Sequence, residues 1–421
     1  MIDKYYNGVI EQVVSGIGNV EHNSILVRYS NDFSIWDLES VNHYKDQSDI
    51  FFTCHEFSYN KIAEAYEPYL GLIRQMFHRY CSGTLEEFME ECDVYKLQRP
   101  VFESYFENGF CERTEQILID EVEYEQERMR NSIVTMLQKL SEIRPVVIVL
   151  NRFQLASKST MQLTNRLLQT KNKNIGIVLG VNDVQSIPEF AHEEWDAICE
   201  SMDDRNMVYH IGNAGRNMEP DVMDYYSDYE SDDGYRKLNN LVYFLDFDQA
   251  DHHLSKIERR IKFDNFTISE KKHYQLLLLQ IMVSVLQRDI AKALESCEDL
   301  EKLQDQEKEG AFYYNFWMAT SYMYLGKLEE AMIYVQKAKE CGEALGDDFL
   351  VFRAELLKAQ NQMSGWCNIF FCAQDIEISD KLIEKLNAYH YKNHLAHIYI
   401  YAYDNNCLLY TSDAADDRIS V

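Results

Sequence analysis

Residues 144–168 read RPVVIVLNRFQLASKSTMQLTNRLL. Val146 to Leu150 is an unbroken apolar run rich in β-branched side chains, set between longer polar stretches of helical period. A strand with no polar alternation is buried on both faces, which is the pattern of a parallel strand flanked by crossover helices. Residues 174–180, NIGIVLG, repeat the pattern. Two such strands with the helical stretch between them make a βαβ unit, and the surrounding chain is predicted to be an α/β domain.

Toward the N-terminus, residues 3–16 are predicted helical, with Tyr6, Val9, Ile10 and Val13 on one face. Residues 23–28 (NSILVR) and 49–54 (DIFFTC) read as strands. Residues 63–80 read as a helix with Pro68 near its start and Leu70, Ile73, Met76, Phe77 and Tyr80 at helical spacing. Thr84 is placed to cap a short helix over 84–92. Residues 111–143 form a long polar helical stretch whose core face runs through Ile117, Val122, Met129, Ile133, Met136, Leu137 and Leu140, ended by Pro145. Beyond the second central strand come an acidic helix over 182–198 and an edge strand at 208–210. Residues 212–234 are acidic and carry no sustained period, so they read as a linker.

From residue 235 the chain reads as helical throughout, with helices over 238–247, 249–260, 270–288 and 290–303. Ala319, Tyr322, Gly326, Ala331 and Ala338 then fall at tetratricopeptide spacing, in which small residues let paired helices touch and a glycine takes the turn. Ala293 and Gly365 match Ala331 and Gly326 at distances of 38 and 39 residues, and 379–388 with 394–403 give a further pair. The expected organisation is therefore an α/β domain over 1–211, the linker 212–234 and a helical repeat tract over 235–406.

The formal net charge of −29 argues against a nucleic-acid backbone or an anionic membrane as the main partner. The first ten residues are not those of an export signal, and no apolar run reaches the roughly 18 residues of a membrane span. The expectation is a cytoplasmic protein whose ten cysteines are reduced thiols.

The chemistry expected at the strand ends is missing. A nucleotide-hydrolysing domain of the P-loop type carries the pattern GxxxxGK, then Ser or Thr, after its first strand, and an Asp at a later strand end to help hold Mg²⁺. Here the loop after the first strand is YSNDFS at 29–34, with neither Gly nor Lys, and the strand ends in Asn151. A neutral amide is a poor ligand for a hard cation. Neither a cofactor nor a metal ligand is predicted, and Asn151 with Lys158 reads as a structural remnant.

Other polar groupings have a plain reading beside a chemical one. Glu121, Glu123, Glu125 and Glu127 read as a solvated acidic face rather than acid–base groups. His252–His253 with Asp246 and Asp248 lack metal-ligand spacing, and Cys367 and Cys372 read as packing cysteines rather than a redox pair. No nucleophile elbow is present.

The segments AYEPYLGLIRQM (65–76), RPVVIVLNRFQLASKST (144–160) and KNIGIVLG (173–180) resemble the AAA-related signal-transduction ATPase module, which in regulators precedes tetratricopeptide repeats. The resemblance implies a degenerate P-loop-NTPase-like α/β domain followed by an all-α tetratricopeptide-like solenoid. Residues 1–406 further resemble large clostridial cytosolic regulators that end in a GGDEF diguanylate cyclase domain, carried by 101–123, ALGDDFLVFRAELL (344–357), SGWCNIFFC (364–372) and KNHLAHIYIYAY (392–403). No GGDEF motif occurs in this chain. CLLYTSDAADD (407–417) resembles translated sequencing-adapter read-through, so 407–421 is expected to be artefactual.

Together these readings predict a non-catalytic signalling scaffold: a pseudo-ATPase sensor module joined to repeats that bind a protein or another domain of the same polypeptide. The alternative is a weakly nucleotide-binding switch. Tyr314, Trp317 and Gln360 are the candidate binding face of the repeats.

Overall fold

In the computed structural model the two apolar runs lie side by side in a five-stranded sheet, all of whose pairings are parallel. The structure describes residues 2–19, 23–29, 35–45, 49–58, 61–111, 122–170, 172–182, 189–203, 208–211, 228–229, 231–263, 266–366, 383–385 and 388. The loop at 30–34, Glu121, most of the acidic linker, Cys367, Cys372, most of the predicted pair after 379 and the 407–421 tail lie outside the described residues.

In chain order the first unit contains α1 (Ile2–Gly16), β1 (Ser24–Tyr29), α2 (Glu39–Tyr44), β2 (Phe51–Glu56), α3 (Tyr69–Tyr80), α4 (Leu85–Glu91), α5 (Arg99–Asn108), α6 (Val122–Ile143), β3 (Val146–Asn151), α7 (Lys158–Gln169), β4 (Ile175–Asn182), α8 (His192–Asp203), β5 (Val208–Ile211), α9 (Asp232–Tyr243) and most of α10 (Phe247–Phe263). The strand order is β2-β3-β4-β1-β5, so β4 is central and β2 and β5 are the edges. Every residue of β3 and β4 is buried, as an apolar run without alternation requires. Helix α1 covers β4 with Tyr6, Ile10 and Val13, all fully buried. Thr84 caps α4 with a complete capping box through Glu87.

Each predicted strand is present to within a few residues. The helix expected over 63–80 starts only at Tyr69, after a turn that holds Tyr66 at φ 56° and a cis Glu67–Pro68 bond. A proline disfavours helical backbone in the residue before it, which is why the helix waits until the proline is passed. Helix α2, of six residues, carries too few periods to register in the sequence pattern, and α5 lies in a stretch where no element is expected.

Two compact units divide at Arg259/Arg260. Residues 235–259, expected to begin the repeats, fall in the first unit. Their polar side chains bond to it: Asn240 Oδ1 accepts from the Cys111 N–H at 2.7 Å, and Asp246 Oδ2 accepts from the Ser159 N–H at 2.9 Å.

The second unit contains α11 (Glu270–Leu286), α12 (Ile290–Glu301), α13 (Gly310–Tyr324), α14 (Leu328–Leu345) and α15 (Asp348–Trp366), each packed against the next. This consecutive helix-on-helix packing is that of tetratricopeptide-like repeats. Its core joins Tyr274, Ile281, Phe312, Phe316, Leu350 and Leu357. The turns after α11, α13 and α14 share one device. Arg288, Gly326 and Gly346 take φ of +66°, +72° and +67°, and the following N–H donates back to Ser284, Tyr322 and Gly342 at 2.8, 3.0 and 3.1 Å. This is the Schellman arrangement, which satisfies the last carbonyls of a helix. Gly365 is not the turn glycine expected of it. α15 continues to Trp366, longer than the equivalent α13, and keeps Gly365 inside the helix.

Candidate functional site

In an all-parallel sheet the carboxyl ends of the strands line one edge, and ligands of such folds sit there. Here that edge carries Tyr29 from β1, Glu56 from β2, Asn151 from β3 and Asn182 from β4. The Tyr29 hydroxyl donates to Asn151 Oδ1 at 2.8 Å, and Asn151 Nδ2 donates to Glu56 Oε1 at 3.1 Å. Tyr29 and Asn151 are fully buried. Gly180 permits this bond across β4, because a Cβ there would strike Asn151 Oδ1 and the Tyr6 hydroxyl. Arg152, held at φ 53°, brings its guanidinium to 3.6 Å from Glu56. Gln154, also fully buried, accepts from the Asn182 N–H at 3.3 Å.

These residues do not fit a magnesium–nucleotide. Asn151 supplies no charge, and both polar atoms of its side chain are bonded within the protein. The nearest carboxylate, Glu56, is held by Asn151 and Arg152.

The start of α7 is filled in the same way. Ser157 caps the helix, and the next free N–H, that of Ser159, points to the buried Asp246 carboxylate. Burial raises the Asp246 carboxyl against the hydrogen bonds from Ser159 and Gln249. The N-terminal turn, where a helix most readily takes an anion, is thus occupied by a carboxyl group of the chain itself. Lys158 pairs with Asp248 at 2.7 Å and Glu194 at 3.7 Å. Burial pushes its ammonium down, but the Asp248 hydrogen bond and the surrounding carboxylates raise it overall.

Sequence reasoning missed a second polar cluster, in the turn before α3. Burial and the neighbouring Glu67 carboxylate lift Glu64 to about 7, opposed by the amide of Asn240, which donates at 2.7 Å. His55 lies 3.4 Å from Glu67, yet burial lowers it to about 4. Nothing local marks these residues: the turn sequence is short, and their neighbours come from distant parts of the chain. Glu125, expected on a solvated face, is instead buried and accepts from Gln98 Nε2 at 2.9 Å. His253 is fully buried between Tyr229, at 3.0 Å, and Gln249, at 3.0 Å. Among the described residues no group of three or more His, Cys, Asp and Glu is placed to hold a metal ion, and no helix is long and apolar enough to cross a membrane.

In the repeat unit Ala293, Ala319, Ala331 and Ala338 are fully buried at helix contacts, and Tyr322 stacks on Tyr334 with centroids 5.5 Å apart. Tyr314 meets the same Tyr334 edge-on at 6.3 Å. Tyr314 and Trp317 are partly buried against the helical core, and Gln360, on α15, is half-buried. The candidate face thus shares its aromatic side chains with the packing of the stack.

No protein-family model, curated protein or solved structure matches this chain. The functional reading therefore rests on the residues themselves.

Proposed function

We propose that this chain is a non-catalytic, cytoplasmic regulatory scaffold. Its α/β unit is a pseudo-ATPase sensor module, and its repeats bind a protein or a further domain of the same polypeptide. The resemblance to clostridial regulators makes that further domain a GGDEF diguanylate cyclase, of which this chain is the N-terminal regulatory part. The observation that carries the reading is the hydrogen-bonded set Tyr29–Asn151–Glu56, which uses both polar atoms of the strand-end amide within the protein. The internal carboxylate at the start of α7 supports it, as does the consecutive packing of the repeat helices.

Titration calorimetry of the full chain with ATP and Mg²⁺ tests the reading. It expects no saturable heat up to about 1 mM ligand, the range of the weakest specific complexes. Saturable Mg²⁺-dependent binding would replace it with the nucleotide-switch alternative. For the repeats, Tyr314→Ala with Trp317→Ala is expected to abolish partner recovery or change the oligomeric state while helicity is retained. Unchanged partners and oligomeric state would remove these residues from the binding face.

A further inference from the structure

Strand β2 is an edge of the sheet, and it carries few of the devices that keep edges from pairing. Its sequence, FFTCHE, has no proline and no lysine, and its first four residues are uncharged. The Phe51 N–H donates to Pro145 O at 2.7 Å and the Phe57 N–H to Asn151 O at 3.1 Å. In a parallel ladder alternate residues turn both peptide groups the same way. Phe51, Thr53 and His55 therefore face β3, and Phe52 and Cys54 present their N–H and C=O outward.

Among the described residues no strand pairs with this edge, which runs between two aromatic walls. Phe52 packs on Tyr44 of α2 with centroids 5.7 Å apart, and Phe51 meets Tyr80 of α3 at 6.1 Å. A groove of about 450 Å³ follows this edge, and its rim carries Trp36, Lys45, Arg79 and Arg144. The Arg144 guanidinium is fixed against Tyr80, donating to its hydroxyl at 2.9 Å. Lys45 and Arg79 are exposed, and among the described residues none of the three cations is ion-paired with a carboxylate. In a chain of net charge −29, a basic rim around an open strand edge is a local reversal of sign.

We propose that this groove docks an extended acidic peptide of a partner protein, which adds to the sheet as a strand beside β2. Backbone hydrogen bonds to Phe52 and Cys54 give the pairing its register, the aromatic walls take alternate apolar side chains, and the basic rim selects carboxylates. A second copy of this chain fits poorly, because pairing β2 with β2 would bring the same cations together. The inference is independent of the repeat-scaffold reading, since the groove lies wholly within the sheet unit.

The test uses the full chain and a fluorescein-labelled peptide of roughly eight residues alternating Glu and Val, long enough to span β2. Its Lys–Val counterpart is the control. The Glu peptide is expected to bind, to weaken as salt is added, and to slow hydrogen exchange at the Phe52 and Cys54 amides. Lys45→Glu with Arg79→Glu, both at exposed positions, is expected to weaken it at least roughly tenfold while the melting temperature holds. The proposal is overturned if the Glu peptide fails to bind, if the Lys peptide binds equally, or if charge reversal changes nothing. It is also overturned if the two amides stay unprotected, or if sedimentation shows a dimer that protects them without peptide.

Discussion

Asn151 is buried and neutral, yet both its polar atoms are used. Removing the phenol oxygen of Tyr29 leaves Asn151 Oδ1 without that donor in a site water cannot easily reach. Tyr29→Phe is therefore expected to destabilise the sheet unit by about 1–3 kcal/mol, read from denaturant unfolding. A change within experimental error would mean that the bond does not hold the strand ends together. Glu64 gives a pH signature. Folded, its carboxyl keeps its proton up to about pH 7, against an ordinary value of 4.5. Between those values the folded state binds the extra proton, so the contribution of Glu64 to stability is whole below 4.5 and is lost as pH rises through 7. Glu64→Gln can still accept from Asn240 but cannot ionise. Its melting temperature, relative to wild type at each pH, is expected to rise between pH 4.5 and 7 and then level off. A constant difference across that window would contradict this. The comparison with wild type matters because His253, held neutral by burial, shifts stability in the opposite direction in both proteins.

Among the helical elements, the turn residue decides how each pair closes. Gly326 sits at φ +72° with open space where a Cβ would be. Gly326→Ala therefore meets no clash, and its cost is conformational alone, about 1–2 kcal/mol for an L-residue in the left-handed region. Unchanged urea unfolding of the repeat unit would show that the turn relaxes to another conformation. Arg288 adopts the same φ one repeat earlier without being glycine, and its guanidinium stacks 4.0 Å over Tyr324. That contact offsets part of the strain, by about 0.5–1 kcal/mol. Because the residue at this turn is arginine, the glycine spacing of the repeats does not mark it.

At the scale of the whole molecule, the sheet unit and the repeat unit each have a hydrophobic core of their own. Ala331 is fully buried at a helix contact of the repeats, and a tryptophan there overfills it. Ala331→Trp is expected to lower the calorimetric transition of the repeat unit and leave that of the sheet unit in place. A single transition shifting as one would show that the units unfold together.

The sequence by itself determined the strands, the helical tract and the phase of the repeats, because each is a local periodicity. Two buried faces leave an unbroken apolar run, as at Val146–Asn151, and a helix contact leaves alanines in step at Ala293 and Ala331. It also placed Asn151 where a carboxylate would be needed. Only the tertiary structure decided what surrounds Asn151, since Tyr29 is 122 residues away and meets it solely because β1 and β3 flank β4 at Gly180. The same holds for Asp246 against Ser159, 87 residues apart, and this bond draws the helices after the acidic stretch into the sheet unit. The open edge of β2 follows from strand order alone. Periodicity reports how many faces of a segment are covered, and it carries no information about which distant segment covers them or which edge is left bare.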